Sequence, residues 1–440
     1  MYLSDIARYC GGVLKGSDAR IDAVSTDTRS IAPGVLFVAL CGARFDGHTF
    51  VPEAIAQGAS AIVTNRAFRD ISSVVVEDTS HALGKIAALH RSLQKDLRVL
   101  AITGSCGKTS CKNAMWSICQ SQAPTLKTAK NENNHIGVPL TLLGLKETHR
   151  FGIVELGTDH PGEIAYTAAI TQPDVALITQ ISPAHLENFP SFRDYAQEKF
   201  AIAKDLSSSQ TLVHPSDMPF KEKCITKAQT LSFGRKEGDI RLVEAMSESE
   251  GTKVELITPL GSMHIQSNLI GAGAVDNILA CTAAACALRL EKSAIEQGLA
   301  SVVMEPGRME KMVLKSGAVL LNDSYNASFA SVLQSLDYCD QYNAKAKKVI
   351  VLGAMAQLGD ESIAYHQQVA KRLVDVCPDR CLFMGPEDYF NAMRTIYPAL
   401  EYHQNHQSMA KVLKTMLNPD HFILLKGARR YQLEQLINLL

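Results

Sequence analysis

The sequence has little that would point to a membrane, a nucleic acid or the secretory route. Its 440 residues carry 44 Lys and Arg against 45 Asp and Glu, so the net charge of −1 favours neither nucleic acid nor an acidic membrane surface. No uninterrupted apolar run approaches the roughly 20 residues that span a bilayer. The first residues, Met1 to Asp5, lack the basic start and apolar core of a signal peptide. We therefore expect a cytoplasmic protein with no membrane insertion and no nucleic-acid partner.

The eleven cysteines lack the spacing of a disulfide framework. The nearest approach to a metal motif is the pair Cys377 and Cys381, and no second pair accompanies it. An odd number of scattered cysteines is typical of reduced, mostly buried thiols in the cytosol. Cys106 is the exception, because it lies in a glycine-rich loop beside a predicted helix N-terminus, where a thiol can become more reactive. The alternative for Cys106 is simply a small residue in a tight turn.

What the chain does have is length, apolar content and alternating secondary-structure signals. Hydrophobic residues make up 46% and charged residues 20%, as in an ordinary globular protein, and 440 residues are too many for one core. We predict an α/β protein of three domains, with boundaries at 1–79, 80–310 and 311–440. The first is a small α/β domain, the second has a mainly parallel sheet, and the third is a doubly wound, Rossmann-like domain.

Short apolar runs predict the strands of these domains. The predicted strands are 34–40, 59–63, 99–103, 151–156, 175–181, 211–214, 349–352, 382–384 and 422–425. A hairpin is predicted from 254–257 and 263–265, and helices are predicted over 50–57 and after Asp78. The alternation of strands with helices indicates parallel sheets that are covered on both faces.

A glycine-rich loop joins the predicted strand 99–103 to a predicted helix. Its residues are Thr103, Gly104, Ser105, Cys106, Gly107, Lys108, Thr109 and Ser110. Such a loop turns backbone N–H groups toward one point, while the lysine reaches β- and γ-phosphates and the threonine hydroxyl holds Mg²⁺. The full pattern would have glycine at Ile102, so an ordinary strand–helix turn is the alternative. ATP binding is the leading hypothesis.

Three polar segments end apolar segments downstream of this loop, at 133–139, 155–157 and 184–187. Because strand C-terminal ends line the ligand crevice of a parallel sheet, we expect Glu155 and His185 to face phosphates bound at Lys108. A carboxylate and an imidazole beside a triphosphate form a reasonable divalent metal site. The simpler alternatives are a solvated acid at a strand end and a capping or core histidine.

Together these motifs resemble those of the Mur ligases, the ATP-dependent amide-forming enzymes of peptidoglycan synthesis. The resemblance covers nearly the whole chain in order, through 103–109, 133–139, 155–157, 184–187 and 323–327. The N-terminal runs 25–29, 33–40 and 46–48 resemble the family's UDP-sugar domain, and 426–429 also matches. The motifs at 155–157 and 323–326 favour the branch that adds D-alanyl-D-alanine over the tripeptide-forming branch.

The resemblance implies a reaction and its partners. The substrates would be UDP-N-acetylmuramoyl-tripeptide, D-Ala-D-Ala and ATP, and an acyl phosphate would be the intermediate on the way to the pentapeptide precursor of peptidoglycan. Two Mg²⁺ ions would take part. We expect a monomer, and the third peptide residue is left open between meso-diaminopimelate and lysine.

The resemblance also implies roles for individual residues. Lys108 would contact phosphates, Thr109 and Glu155 would hold one Mg²⁺, and His185 would hold the second. Lys199 matches the family lysine that becomes carbamylated, which turns a cation into an anionic oxygen ligand; the alternative is a plain helix-surface lysine. The remaining catalytic and nucleotide-contacting candidates are Asn134, Asn277, Arg308, Asp323, Tyr325 and Asn326. The candidates for the UDP substrate are Ser25, Thr26, Asp27, Thr28, Arg29, Asp46, Gly47 and His48.

The chain departs from the family pattern at several of these motifs. The usual Gly-Glu after the carbamylated lysine is Phe200-Ala201, and the usual His-Asn before Asn277 is Gly273-Ala274. The other departures are Ser328-Phe329 for Asn-Pro, Ala354 for Asp and Gln357 for Glu. We expect an active enzyme with weaker or altered nucleotide binding.

Two other functions are consistent with the same motifs. One is another ligase of the superfamily, such as a folate polyglutamylating enzyme, although those enzymes start near the phosphate loop. The other is a non-catalytic nucleotide-binding paralogue, which the departures favour. The joint presence of Lys108, Glu155, His185 and Lys199 argues against it.

Overall fold

The computed structural model describes residues 1–42, 45–69, 71–248 and 250–440, and the chain divides into two compact units. Unit 1 comprises Met1–Ala101, Ala123–Thr158 and Gly162–Val175. Unit 2 comprises Ile102–Gln122, Asp159–Pro161 and Ala176–Leu440. The predicted first domain, 1–79, lies within unit 1 and the predicted third, 311–440, within unit 2, whereas 80–310 contributes to both. The three boundaries stay a prediction.

The described residues form thirteen α-helices. They are α1 Leu3–Cys10, α2 Val51–Ala56, α3 Thr79–Ser92, α4 Lys108–Gln120, α5 Gly137–Leu143, α6 Glu163–Thr171, α7 Phe192–Phe200, α8 Ala274–Ala287, α9 Lys292–Ala300, α10 Phe329–Gln341, α11 Ser362–Val376, α12 Glu387–Arg394 and α13 His406–Lys414. None of the helices in this part of the chain is both long enough and apolar enough to cross a membrane.

The same residues form twenty-two strands. They are β1 Val13–Lys15, β2 Ala23–Ser25, β3 Val35–Val38, β4 Cys41–Gly42, β5 Phe45–Asp46, β6 Ala61–Thr64, β7 Ser73–Val75, β8 Arg98–Thr103, β9 Thr125–Lys127, β10 Phe151–Glu155, β11 Val175–Ile178, β12 Thr211–Pro215, β13 Gln229–Gly234, β14 Ile240–Glu248, β15 Gly251–Thr258, β16 Gly261–Ser267, β17 Glu310–Val313, β18 Val319–Asp323, β19 Lys347–Gly353, β20 Arg380–Met384, β21 Leu400–Tyr402 and β22 His421–Lys426.

Unit 1 contains a five-stranded sheet in the order β1-β7-β6-β3-β2. All its neighbours are parallel except β1, which runs antiparallel to β7. Its apolar face packs with α1 and α3, where Leu3, Ile6 and Leu83 are fully buried. Asp78 begins α3 by accepting hydrogen bonds from the backbone N–H groups of the first turn, which would otherwise lack partners. Strands β9 and β10 pair in parallel in the same unit.

Unit 2 contains a six-stranded sheet in the order β17-β18-β22-β19-β20-β21. Only β17 is antiparallel to its neighbour. Strands β19 and β22 are buried along most of their length, and apolar clusters cover both faces of the sheet. This is the doubly wound arrangement predicted for the C-terminal section, and the α/β class is confirmed.

A further group of strands in unit 2 contains both parallel and antiparallel pairs. Strands β12, β13 and β14 pair in parallel, whereas β14, β15 and β16 form an antiparallel meander. The predicted hairpin is confirmed as β15 and β16. Strand β14 lacks a buried face, since most of its side chains are exposed, and for that reason the apolar pattern did not predict it.

The predicted strands lie where strands occur, although some ends differ. The run predicted as 175–181 ends as a strand at Ile178, because the chain then turns toward the glycine-rich loop and hydrogen bonds to it. The predicted helix 50–57 is a 3₁₀ turn, Gly47–Phe50, followed by α2, whose Pro52 fits the first helical turn.

Candidate active site

The glycine-rich loop connects the end of β8 to the start of α4, as the sequence predicted. Thr109 is buried in the first turn of the helix. The Lys108 ammonium folds back over the loop and donates to the carbonyl oxygens of Gly104 at 2.7 Å and Ser105 at 3.4 Å. The charge therefore stays at the mouth of the loop, where the N-terminus of α4 adds positive potential.

Gly107 is the residue that lets the loop enter α4. Its φ of +82° lies in the left-handed region, where a side chain is strained. A Cβ atom there would also lie 2.4 Å from Oδ1 of Asn277, on α8. The predicted nucleotide residue Asn277 thus packs against the loop, and its Oδ1 also lies 3.5 Å from Sγ of Cys111 on α4.

The segment after β11 anchors the other side of the loop. The Ser105 N–H donates to the Gln180 carbonyl at 2.6 Å, and the Ser105 hydroxyl donates to the Ser182 carbonyl at 2.8 Å. The Thr179 hydroxyl donates to the Cys106 carbonyl. These bonds fix the backbone of the loop against the segment that follows β11.

Tyr195 on α7 connects the loop with two predicted metal ligands. Its hydroxyl lies 3.0 Å from Oγ of Ser105, and its ring centre is 6.2 Å from that of His185. Lys199, one turn later on the same helix, places its Nζ 4.9 Å from the ring centre and is 1% exposed. Burial raises the pKa of Tyr195 well above its ordinary value, so the hydroxyl remains protonated. The alternative of a helix-surface lysine at 199 is wrong.

His185 also faces a carboxylate. Its Nδ1 lies 3.0 Å from Oδ1 of Asp159, although the ring N–H does not point straight at that oxygen. The His185 ring is the main influence that lowers the pKa of Asp159; partial burial opposes it, and a hydrogen bond from the side chain of Gln357 adds to it. The carboxylate therefore remains ionised, with the Nδ1 side of the imidazole turned toward it.

A second group surrounds β18 and the turn that precedes β17. The Arg308 guanidinium stacks on the Tyr325 ring at 4.2 Å, and its buried Nε has no hydrogen-bond partner among the described residues. Asp323 accepts from the Met309 N–H at 3.1 Å, and also from the Ser335 hydroxyl and the Lys426 ammonium. Asp323 thus holds this group together.

A buried ion pair ties the start of this turn to α4. Lys112 is fully buried, and its Nζ lies 3.0 Å from Oε1 of Glu305, which also accepts from Asn113. Burial disfavours the charged Glu305, but its bonds to Lys112 and Asn113 outweigh burial and lower its pKa. Removal of Glu305 would therefore take a charge partner from the buried Lys112 ammonium, whereas Glu305 itself is only partly buried.

The structure gives a physical reason for two departures from the family pattern. A Cβ atom on Gly273 would lie 2.9 Å from the Gln334 side chain of α10, which fills the space beside it. Ser328 caps α10, and its hydroxyl lies 3.0 Å from the Cys106 thiol. Phe200, a third departure from the family pattern, has a buried side chain.

Unit 1 holds the remaining predicted catalytic and metal residues. Glu155, at the end of β10, is 2% exposed, and its Oε1 accepts from the Asn133 amide at 2.8 Å. The Asn134 side chain accepts from the N–H groups of Ile136 and Gly137, which begin α5. In this structure the Asn134 side chain therefore holds the turn that leads into α5, and its neighbour Asn133 is the residue that orients Glu155.

The predicted UDP-substrate residues form two turns in unit 1. Asp27 accepts from the backbone and side chain of Arg29, and this bond lowers the pKa of Asp27 to about 2. Ser25 bonds to the Asp27 carbonyl, Thr26 is half-buried and Thr28 is buried. The first turn is therefore held by its own side chains.

The second turn centres on His48. Asp46 accepts from the His48 backbone and ring, and Arg66 also binds it; these groups hold the pKa of Asp46 far below its usual range. The Asn65 N–H donates to Nε2 of His48, and Gly47 donates to the Leu40 carbonyl. The buried His48 therefore carries its proton on Nδ1.

The structure brings some predicted residues together and leaves others apart. In unit 2 the phosphate loop contacts Asn277 directly and His185 and Lys199 through Tyr195, whereas Asn326 is exposed. Sequence reasoning missed Tyr195, Asp159, Thr179 and Asn133. Two of them had a detectable signal: Tyr195 precedes Lys199 by four residues, the spacing of neighbours on a helix face, and Asn133 begins the polar segment 133–139.

Three family models match consecutive parts of the chain. They are the Mur ligase family catalytic domain over residues 20–91, the Mur ligase middle domain over 102–285, and the Mur ligase glutamate ligase domain over 307–429. The matches follow the order of the motifs along the chain.

Relatives and solved structures give the same result over the full length. The chain is 35% identical to the UDP-N-acetylmuramoyl-tripeptide–D-alanyl-D-alanine ligase of Escherichia coli over 446 residues, which covers 100% of this chain and 98% of the relative. It is similar to MurF from Acinetobacter baumannii, with a TM-score of 0.92, 30% identity and coverage of 99% and 97%. It is also similar to the MurF ligase from Thermotoga maritima in complex with ADP, with a TM-score of 0.86, 26% identity and coverage of 95% and 96%.

Proposed function

Since the chain belongs to the Mur ligase family, we propose that it joins D-alanyl-D-alanine to UDP-N-acetylmuramoyl-tripeptide, with conversion of ATP to ADP and phosphate. The observation that carries this proposal is a glycine-rich loop that carries Lys108 at the start of α4, within a chain whose whole length matches ligases named for that reaction. The product is the pentapeptide precursor of peptidoglycan.

The first chemical step activates a carboxylate. The tripeptide carboxylate attacks the γ-phosphoryl group of ATP, ADP leaves, and an acyl phosphate forms. Backbone N–H groups of the loop and the Lys108 ammonium stabilise the charge that spreads over the phosphoryl oxygens. The loop is held in advance by its bonds to Gln180 and Ser182, so little reorganisation is needed on binding.

The second step forms the amide. The amine of D-Ala-D-Ala attacks the acyl-phosphate carbonyl, a tetrahedral intermediate forms, and phosphate leaves. Because water would hydrolyse the acyl phosphate, the site must exclude it. We assign Arg308, Asp323, Tyr325, Asn326 and Asn277 to the nucleotide, and residues 25–29 and 46–48 to the UDP end of the substrate.

The donor chemistry suits a divalent metal. Thr109 supplies a hydroxyl, Glu155 a buried carboxylate, and His185 an imidazole whose Nδ1 lies beside Asp159, so that Nε2 would be the metal-binding nitrogen. We propose these residues and Lys199 as the metal ligands, with Lys199 carbamylated. When bound, Mg²⁺ offsets the negative charge that accumulates on the phosphates. A monomeric state and a cytoplasmic location remain predictions.

The function is tested by measuring ADP release with substrates omitted in turn. We expect appreciable release only when UDP-N-acetylmuramoyl-tripeptide and D-Ala-D-Ala are both present, because neither half-reaction turns over alone. Mass spectrometry should show the pentapeptide product. Equal ADP release with either substrate omitted would rule out an amide ligase of this kind.

Lys108→Ala is the matched control. It should lower ligation by more than about 10²-fold, the scale for removing a charge aimed at a transferring phosphoryl group, while binding of the UDP-tripeptide persists. Product formed with glutamate in place of the dipeptide would indicate the folate-type alternative. ADP binding by wild type without any turnover would indicate a non-catalytic paralogue.

A further inference from the structure

Gln357 is a departure from the family pattern that the proposed chemistry does not use. It follows β19 in unit 2, is half-buried, and has a left-handed φ of +62°, which is uncommon outside glycine. Leu358, the next residue, is 1% exposed, and a Cβ atom on Gly359 would lie 3.4 Å from the backbone of Glu187. Residues 357–359 are therefore held against the turn that follows His185.

The side chain of Gln357 has a defined partner in this position. It lies beside Asp159, where hydrogen bonding from its carboxamide is one of the smaller influences that lower the pKa of that carboxyl, and Oδ1 of Asp159 lies 3.0 Å from Nδ1 of His185. His185 itself has a φ of +54°, and its ring stacks on Tyr195. The three side chains form one sequence of contacts from the C-terminal section to the imidazole.

We propose that Gln357 and Asp159 are positioning residues for His185, and that they let residues 357–359 of the C-terminal section fix the orientation of that imidazole. The proposal rests on the proposed function, in which Nε2 of His185 is a metal ligand. A carboxylate on the far nitrogen of a ligating histidine sets its tautomer and ring orientation. Asp159 has that place, and Gln357 in turn orients Asp159.

The amide at position 357 is required by the carboxylate at position 159. A carboxylate only accepts hydrogen bonds, whereas a carboxamide can also donate them. The glutamate that is usual in the family at this position would place a second carboxylate beside that of Asp159. Two neighbouring negative charges repel each other. The departure at Gln357 is therefore matched to Asp159.

We therefore expect that the amide at position 357 and the carboxylate at position 159 can be interchanged if both are changed together. Gln357→Glu alone sets two carboxylates against each other. Gln357→Glu combined with Asp159→Asn restores one donor and one acceptor in nearly the same shape, with their positions reversed. In that double variant the side-chain amide at position 159 still offers an oxygen to the histidine ring N–H.

The test compares Gln357→Glu, Asp159→Asn and the double variant with Gln407→Glu, which adds the same charge at an exposed residue of α13. Two readouts are used: kcat for ligation, and Mn²⁺ binding to the ADP-bound protein by electron paramagnetic resonance. We expect Gln357→Glu to lower both kcat and Mn²⁺ affinity by about tenfold or more, the scale for outer partners of metal ligands. The double variant should recover to within about threefold of wild type.

A third readout does not depend on the reaction. Hydrogen exchange of the ligand-free protein should show faster exchange at residues 185–189 in Gln357→Glu, with wild-type rates in the double variant and in Gln407→Glu. Gln357→Ala, which adds no charge, should show a smaller change of the same sign. A double variant no better than Gln357→Glu, or a Gln357→Glu variant that matches Gln407→Glu, would overturn the proposal. If wild type does not ligate, the proposed function fails, while hydrogen exchange still tests the contact.

Discussion

Tyr195 shows how one side chain can connect groups that come from distant parts of the sequence. Its hydroxyl lies beside Ser105, its ring stacks on His185, and Nζ of Lys199 lies over the same ring. The Phe189 ring also packs edge-on against the Tyr195 ring. Since Tyr195 is almost fully buried, any change in its position moves the loop and both predicted ligands together.

The environment of Lys199 leads to a prediction about its modification. If the residue is carbamylated, Lys199→Ala should fold normally and lose at least about 10²-fold in kcat, the scale for removing a group that stabilises the transferring phosphoryl charge. Added formate or acetate should restore part of the activity, because a small carboxylate can occupy the carbamate's place.

Lys199→Arg provides the matched control for this prediction. A guanidinium fills the same space with a fixed positive charge, so the added carboxylates should not restore activity. Steady-state kinetics with and without added acid checks both variants. Near wild-type turnover by Lys199→Ala would refute the carbamate, and another ligand would be needed.

Single residues differed in how far the sequence could predict them. Lys108, Glu155, His185 and Lys199 were predicted because each lies in a short motif beside a predicted element. Asp159 and Asn133 were missed because their roles depend on partners 26 and 22 residues away, His185 and Glu155, and no local pattern marks such a contact. The turn held by the Asn134 side chain before α5 was not predicted, because its partners are backbone N–H groups that any residue supplies.

Among the elements, the entry into α4 depends on the backbone of Gly107. Gly162 offers a matched comparison, because it also begins a helix, α6, with a left-handed φ, here +91°. No atom lies within 4 Å of a Cβ on Gly162, whereas Asn277 lies 2.4 Å from one on Gly107. A side chain at either glycine would strain the backbone, but only a side chain at Gly107 would also clash with a neighbouring atom.

Gly107→Ala and Gly162→Ala should consequently differ in one respect. Each should lower the free energy of unfolding by about 1–2 kcal/mol through backbone strain. Only Gly107→Ala should abolish ADP binding, because the new methyl group must displace Asn277 and distort the loop. Thermal unfolding and titration calorimetry with ADP check the pair. Normal ADP binding by Gly107→Ala would contradict the loop geometry.

Prediction of elements succeeded where a strand is buried on both faces. The central residues of strands β8, β19 and β22 are apolar and buried, so the pattern identifies them. Strands of two or three residues, such as β1 and β4, are too short to show a period. Helix α1 was missed although it has buried and exposed faces, because it spans only two turns.

For the whole molecule, the exposure of each cysteine side chain shows how deeply that part of the chain is buried. All eleven are free thiols, of which six are buried and only Cys41 and Cys377 are exposed. Burial raises the pKa of Cys10 to about 11 and those of Cys119 and Cys339 to about 12. A thiol that is both buried and protonated reacts slowly. Six of the eleven thiols are buried, as expected for most of them, and their reduced state stays a prediction.

Alkylation of the native protein should therefore follow exposure. With N-ethylmaleimide at pH 8, Cys377 and Cys41 should be modified first, and the six buried thiols only after unfolding. Cys106 should react at an intermediate rate that falls when ADP and Mg²⁺ are added. Peptide mass spectrometry over time checks the order, and rapid native modification of Cys119 or Cys339 would contradict it.

The division of the chain into two units has a consequence for protein synthesis. Unit 1 has all its residues once Val175 has been translated, whereas α4 of unit 2 packs against α8 and α9, which are made much later. At about 5–20 residues per second, the nascent phosphate-loop helix waits on the order of ten seconds for these partners. During that interval the apolar face of α4 with Met115 and Ile118, which is buried in the folded chain, lacks the two helices that pack against α4.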